Sequence, residues 1–210
     1  MAPYLRGDIL EVGAGHGTFS ARLANYGKVV ASDPSEKCVI RLRQKLAGNA
    51  AVEVEQGDDV TAAPNRSFDA IVLINVLEHI EDDVAAVQRL SARLKPGGHL
   101  LVFVPAFQRL YSPFDAAVGH HRRYERGLLL ASAYRAGMDV IEARYVNSLG
   151  ALAWWLMAAK LERVPTRGWS VQFYDRMLVP WLRKLEGMKA PPIGQSLLLV
   201  AKPPSTDSYA

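Results

Sequence analysis

Apolar and polar positions along the chain follow two periods that take turns. Residues 8–12 hold Ile9, Leu10 and Val12 in one short run, which reads as a buried strand. Glycines stand at 13, 15 and 17, and Phe19, Leu23 and Tyr26 then recur at helical spacing. Residues 28–32 form a second apolar run ending at Asp33, and Pro34 opens a helix at its first position, with Val39, Leu42 and Leu46 on one face. Residues 51–55 alternate as a third strand. Residues 68–75 carry a continuous apolar stretch, the mark of a central strand covered on both faces. Residues 81–83 cap a helix bearing Val84, Val87, Leu90 and Leu94, and Gly97 and Gly98 end it before a fifth strand at 99–104. A helix over 125–136 stops at Gly137, a sixth strand covers 138–145, and the last covers 196–201.

Two regions leave this alternation. Residues 105–124 have no clear period but are rich in aromatic and ionisable groups. They leave the fifth strand at the rim where open α/β sheets bind ligands, so they read as a substrate loop or lid. Residues 147–192 read as a helical insertion before the last strand. Its first part, 149–161, is apolar all round with Trp154 and Trp155; its second, 171–186, carries a stripe of Tyr174, Met177, Leu178, Trp181, Leu182 and Leu185, kinked at Pro180. The insertion suits three roles: core packed on the sheet, a homodimer interface, or peripheral contact with a membrane near a lipid-linked acceptor. Residues 203–210 read as a frayed tail. The chain shows no internal repeat, so 1–210 is taken as a single domain.

Composition narrows the class. At 210 residues, 50% hydrophobic and 22% charged, the chain has ample core for one domain. Cys38 alone cannot form an intramolecular disulfide and suits a reducing cytoplasm. The opening residues lack the apolar run of a secretory leader, and no apolar run is long enough to span a bilayer. A cytoplasmic location is expected. The net charge of +4 is mild and the arginines are dispersed, which argues against nucleic acid as the main partner.

A strand, a tight glycine turn and a helix N-terminus open a nucleotide-binding βαβ unit. Glycines allow the sharp turn and let a ligand approach the main-chain N–H groups. The spacing departs from the dinucleotide fingerprint: the third glycine comes one residue early, and Thr18 stands in its place. Glu11, two positions before Gly13, would repel a pyrophosphate and attract an ammonium group. Asp33 is placed to accept from two ribose hydroxyls, which suits any nucleoside ligand.

The segment Glu11-x-Gly-x-Gly-x-Gly17 resembles motif I of the class I S-adenosylmethionine (SAM)-dependent methyltransferases. Asn75-Val-Leu-Glu-His-Ile80 resembles the matching segment of their small-molecule members, and Leu94-Lys-Pro-Gly-Gly98 is similar to a third family motif. The resemblance covers about residues 7–145 and 193–203. It implies an α/β fold: a Rossmann-like doubly wound seven-stranded sheet, mostly parallel with the last strand antiparallel. It also implies SAM as cofactor and S-adenosylhomocysteine as product. The implied cofactor contacts are Glu11, Gly13, Ala14, Gly15, Gly17, Thr18, Asp33 and Pro34, with Asp58 or Asp59 against the adenine and Asn75 and Val76 at the fourth strand's end. One departure stands out: the family carries one or two helices before the first strand, and here almost nothing precedes it. The chain is trimmed, its start is misassigned, or the cofactor is covered from elsewhere.

Methyl transfer from a sulfonium is an in-line displacement needing alignment and, for a hydroxyl, removal of a proton. No metal is required, and no His/Cys/Asp set has ligand spacing in the sequence. His79 and His120 are the candidate bases, with His121 beside them. His79 could equally hydrogen-bond a loop carbonyl. Arg122 and Arg123 could clamp an acceptor's carboxylate or phosphate, or simply pair a local acid. Tyr111, Asp115 and Tyr124 could line the acceptor pocket. The expected acceptor is a small molecule, with a hydroxyl oxygen favoured: a glycan, a natural product or a lipid-linked intermediate. The alternatives are an NAD(P)-dependent oxidoreductase and a SAM-binding protein without catalysis. The glycine spacing, Glu11 and the missing Ser/Tyr-x-x-x-Lys pair weigh against the first. The absent Asn/Asp-Pro-Pro-Tyr signature disfavours adenine-N6 and glutamine targets.

Overall fold

The computed structural model describes residues 1–147 and 192–204. The apolar runs form β1 (Gly7–Val12), β2 (Gly27–Asp33), β3 (Val52–Gln56), β4 (Phe68–Ile74), β5 (Leu94–Pro105), β6 (Asp139–Val146) and β7 (Ser196–Lys202). They make one sheet in the order β3-β2-β1-β4-β5-β7-β6. The first five strands are parallel, and β7 runs antiparallel to both β5 and β6. This is the expected doubly wound topology. The order reverses beside β1, so the C-terminal ends of β1 and β4 frame the crevice where such sheets bind ligands.

Successive side chains of the central strands point to opposite faces and build two cores. One gathers Leu10, Ile71, Leu73 and Leu100 beneath Val87, Leu90 and Leu129 of α3 (Asp83–Ser91) and α5 (Arg126–Arg135). The other gathers Ile9, Ala31, Val72 and Leu101 with Leu42 of α2 (Glu36–Lys45). Double coverage explains why β4 reads as continuously apolar: Ile71, Val72 and Leu73 are all fully buried.

Several boundaries differ from the sequence expectation. The first helix, α1 (Ser20–Leu23), is a single turn; Leu23 is buried, but Phe19 and Tyr26 are exposed, so that stripe is not realised. So short a helix contributes little dipole to the glycine turn. Pro34 lies outside α2, ahead of its N-cap Ser35. Gly97 and Gly98 do not end α3 but sit inside β5, where the register jumps between the pairs Phe68–Leu94 and Ala70–His99. A Cβ on Gly98 would lie 2.9 Å from the Lys95 carbonyl oxygen, so this bulge needs glycine. Residues 105–124, expected to be irregular, hold a short helix α4 (Pro113–Ala117). The insertion expected at 147–192, and with it the dimer and membrane-contact readings, lies outside the described residues, as does most of the tail. Among the described residues no helix is long and apolar enough to cross a membrane.

Candidate active site

The turn after β1 is built on three positive φ angles, +68° at Gly13, +55° at Gly15 and +67° at Gly17. What surrounds each glycine differs. A Cβ at Gly13 would lie 2.4 Å from Val76 Cγ2, and one at Gly17 would lie 2.8 Å from Leu42 Cδ2. At Gly15 a Cβ would meet nothing within 4 Å, so this is the open side of the cradle. Asp33 braces the turn: Gly15 N donates to its Oδ2 and Ser35 N to its Oδ1, both at 2.9 Å. Ala14 is buried and its N–H donates to the Ser32 carbonyl, while Thr18 and Pro34 are exposed.

Glu11 is buried under this turn, where Ser20 Oγ donates to its Oε2 at 2.5 Å. Burial pushes its carboxyl up to about 7, against the Ser20 hydrogen bond. A carboxyl so placed gains from a nearby cation. Asp58 folds onto its own loop, accepting from Val60 N, Thr61 N and Thr61 Oγ1. Asp59 is held by Arg89 at 2.5 Å, so both acids have partners within the protein. Asn75, at the end of β4, is exposed and adopts φ +53°, a left-handed conformation that re-aims the chain into the next segment.

That segment brings together residues far apart in sequence. Glu78 is fully buried, and both its carboxylate oxygens are without a hydrogen-bond partner. Burial raises its carboxyl to about 8, against its own backbone N–H and then the nearby charge of Arg123. His79 is exposed, with Nδ1 3.2 Å from the Gly119 carbonyl oxygen, and its ring meets His120 edge-on at 4.6 Å between centroids. Desolvation, then the neighbouring His120, hold His79 below the usual imidazole range. His120 Nδ1 lies 2.9 Å from Asp115 Oδ1, and its Nε2 lies 3.9 Å from Glu78 Oε1. Glu78, His79 and His120 each offer a ligand atom within 4.8 Å of the others. These three residues could hold a metal ion, a grouping that spacing along the sequence does not bring out. Sequence spacing missed this set because two members follow β4 and the third comes from the lid.

The lid is pinned at both ends. Tyr124 N donates to the Pro105 carbonyl and Phe107 N to that of Tyr124, while His121 N donates to the Glu78 carbonyl. Tyr111 donates its hydroxyl to the His120 carbonyl at 2.6 Å. Asp115, buried in the lid, accepts from Arg123, Ser112 and His120; burial opposes its charge, yet these partners hold it below the usual carboxylate range. Two expected acceptor contacts are thus reassigned. Arg123 is buried on Asp115, and Tyr124 is a fully buried core residue whose hydroxyl donates to Asp83 at 2.9 Å. Arg122 is held by the Glu81 carbonyl and by Asp83, while His121 is exposed at the rim. Sequence reasoning used Glu78 only as part of a motif; the signal available was an acid flanked by Leu77 and His79 just past a buried strand.

Residues 10–100 match the family model described as a methyltransferase domain. Over 95 residues the chain is 39% identical to an uncharacterized methyltransferase of Mycobacterium tuberculosis, covering 45% of this chain and 48% of that protein. Over 114 residues it is 34% identical to a ubiquinone biosynthesis O-methyltransferase of Xanthomonas axonopodis pv. citri, covering 52% of this chain and 47% of that one. The chain thus spans about half the length of the curated relatives it matches. Among solved structures, a phosphoethanolamine N-methyltransferase of Haemonchus contortus in complex with SAM superposes with a TM-score of 0.64 at 19% identity, over 95% of this chain and 49% of that one. Family match and relatives agree on a methyltransferase domain over residues 10–100, and the fold is the one that solved methyltransferase structures share.

Proposed function

We propose that this chain transfers a methyl group from SAM to a hydroxyl oxygen of a small organic acceptor, held between the glycine turn and the lid at 105–124. The observation carrying this reading is one of position. The open glycine turn and the rim group of Glu78, His79 and His120 lie at the ends of neighbouring strands, β1 and β4, joined by the packing of Val76 on Gly13.

The residues of the turn fit the cofactor. The open side of Gly15 lets the amino acid end of SAM approach the backbone, Glu11 offers a buried carboxyl to its ammonium group, and Asp33 ends β2 where ribose hydroxyls would be accepted. Asn75 and Val76 close the other side. SAM supplies an electrophilic methyl on a sulfonium. The acceptor oxygen forms the new C–O bond, the C–S bond breaks with its electron pair going to sulfur, and the hydroxyl proton must leave. His79 and His120 are the candidate acceptors of that proton. His120 is the better oriented, because Asp115 holds its Nδ1 and leaves Nε2, 3.9 Å from Glu78 Oε1, to take a proton. Tyr111, Arg122 and His121 flank this side of the lid and are the proposed acceptor contacts. The relative named as an O-methyltransferase supports oxygen over nitrogen.

The test is methyl transfer from labelled SAM to a panel of phenols, sugars and lipid-linked intermediates. Label should appear on an acceptor hydroxyl, and His120→Ala should lower kcat by about 10²-fold or more. Binding of SAM with no transfer to any member would favour a non-catalytic SAM-binding protein instead.

A further inference from the structure

We infer that Glu78, His79 and His120 form a binding site for one divalent transition-metal ion, of the kind that takes two imidazoles and a carboxylate.

Three independent features support it. The first is Glu78: a carboxyl with 0% exposure and no hydrogen-bond partner at either oxygen is a costly arrangement unless something positive or proton-donating completes it. Among the described residues no guanidinium or ammonium group hydrogen-bonds to it; Arg123, whose charge is felt at Glu78, bonds to Asp115.

The second feature is that both imidazoles are set up as ligands by what lies behind them. A carbonyl oxygen only accepts, so the Gly119 carbonyl beside His79 Nδ1 places the proton there and leaves the Nε2 lone pair free. Asp115 does the same at His120 Nδ1, turning Nε2 toward Glu78. An imidazole backed by a carboxylate or carbonyl at one nitrogen, with its other nitrogen toward an acid, is the arrangement metal sites use.

The third is distance. The three ligand atoms lie within 4.8 Å of one another. Zinc-type ligands at about 2.0–2.2 Å from an ion stand roughly 3.5 Å apart, so closing the set takes a shift of about 1 Å. Exposed His79 can supply that shift, and its side of the cluster is open to solvent as an entry path. Three protein ligands leave further coordination positions free. If the proposed methyl transfer holds, on which this role rests, the acceptor hydroxyl occupies one of them. The ion would make the hydroxyl more acidic, so that in the metal-bound chain its proton would pass to water, and the imidazoles would act as bases only in the metal-free chain.

The test uses the tag-free chain, stripped with a chelator and titrated with zinc by calorimetry and with cobalt(II) by visible absorption. One ion per chain is expected, with a ligand-field band from imidazole and carboxylate. Glu78→Gln and His120→Ala should each weaken binding at least about tenfold, and Asp115→Asn by about 10–100-fold through the His120 ring. His79→Ala, at an exposed position, provides a ligand deletion that does not threaten folding; His16→Ala, at a histidine outside the cluster, should leave affinity unchanged. No saturable binding, or equal affinity in the His79→Ala and unaltered chains, would overturn the site. S-adenosylhomocysteine titrated into the same samples separates the two readings. Metal binding without it keeps the site and sinks the methyltransferase activity; the reverse does the opposite.

Discussion

Glu11 ties stability to ligand binding, and Glu11→Gln separates the two. The carboxyl is 2% exposed, its hydrogen bond comes from Ser20, and burial carries it from an ordinary 4.5 to about 7. The sign follows from proton linkage. Below pH 4.5 folded and unfolded chains both hold the proton and the site costs nothing. As pH rises the unfolded chain ionises first, so stability falls until the folded group ionises near 7, and the loss then stays constant. At about 1.4 kcal/mol per pKa unit the full loss is about 3 kcal/mol, of which about 2.5 falls between pH 5 and pH 9. Glutamine keeps the shape and has no such dependence. Urea unfolding of both chains at pH 5 and pH 9 should show the variant gaining about 2.5 kcal/mol on its parent across that interval. Other titrating groups are common to both chains and cancel in the difference. In the same variant, affinity for S-adenosylhomocysteine should fall at least about tenfold, because its ammonium loses the carboxylate. Parallel pH profiles would refute the buried, cation-seeking carboxyl, and an unchanged affinity would refute its place beside the ligand.

Asp33→Ala leaves Gly15 N and Ser35 N without their acceptor, at about 1 kcal/mol each, and should also weaken S-adenosylhomocysteine at least about tenfold; unchanged affinity by calorimetry would remove Asp33 from the ribose site. Gly13→Ala should cost about 2–4 kcal/mol in urea unfolding, because the new Cβ meets Val76 Cγ2 at 2.4 Å and φ is +68°. Adding Val76→Ala should return part of that loss, and no recovery would show that backbone strain alone is responsible. Arg123→Ala strips Asp115 of its buried partner and should destabilise the chain by about 3–5 kcal/mol, with faster proteolysis in 105–124; a cost under about 1 kcal/mol would mean the lid is not held by this pair.

The sheet was legible because each strand that lines it has a hydrophobic period set by its own coverage. β4 is apolar from Ala70 to Ile74 since both faces are covered, and β3 alternates since it lies at the edge. The glycine turn was legible because three positive φ angles leave glycine little competition. What failed was local stopping chemistry. Gly97 and Gly98 look like a helix stop, yet they serve a bulge in β5, and the choice is made by pairing with β4. Phe19 and Tyr26 look like a helix face, yet both side chains stay exposed, at 39% and 42%. The rim group was hidden for a different reason: His120 reaches Glu78 only because the lid folds back over β4 and is pinned at Tyr124. By side-chain type alone Tyr124 and Arg123 suit acceptor contacts, and Arg123 equally suits a local acid. Burial beside Asp83 and Asp115 gives them internal partners instead.

The central claim is that the turn at Gly13–Gly15–Gly17, with Glu11 and Asp33, holds the amino acid and ribose ends of SAM. Calorimetry of the chain with S-adenosylhomocysteine and, separately, with NAD tests it most directly. Saturable binding of one S-adenosylhomocysteine per chain, weakened by Asp33→Ala and without measurable heat from NAD, is the predicted result. Tighter binding of NAD, or no binding of S-adenosylhomocysteine to the folded chain, would contradict it.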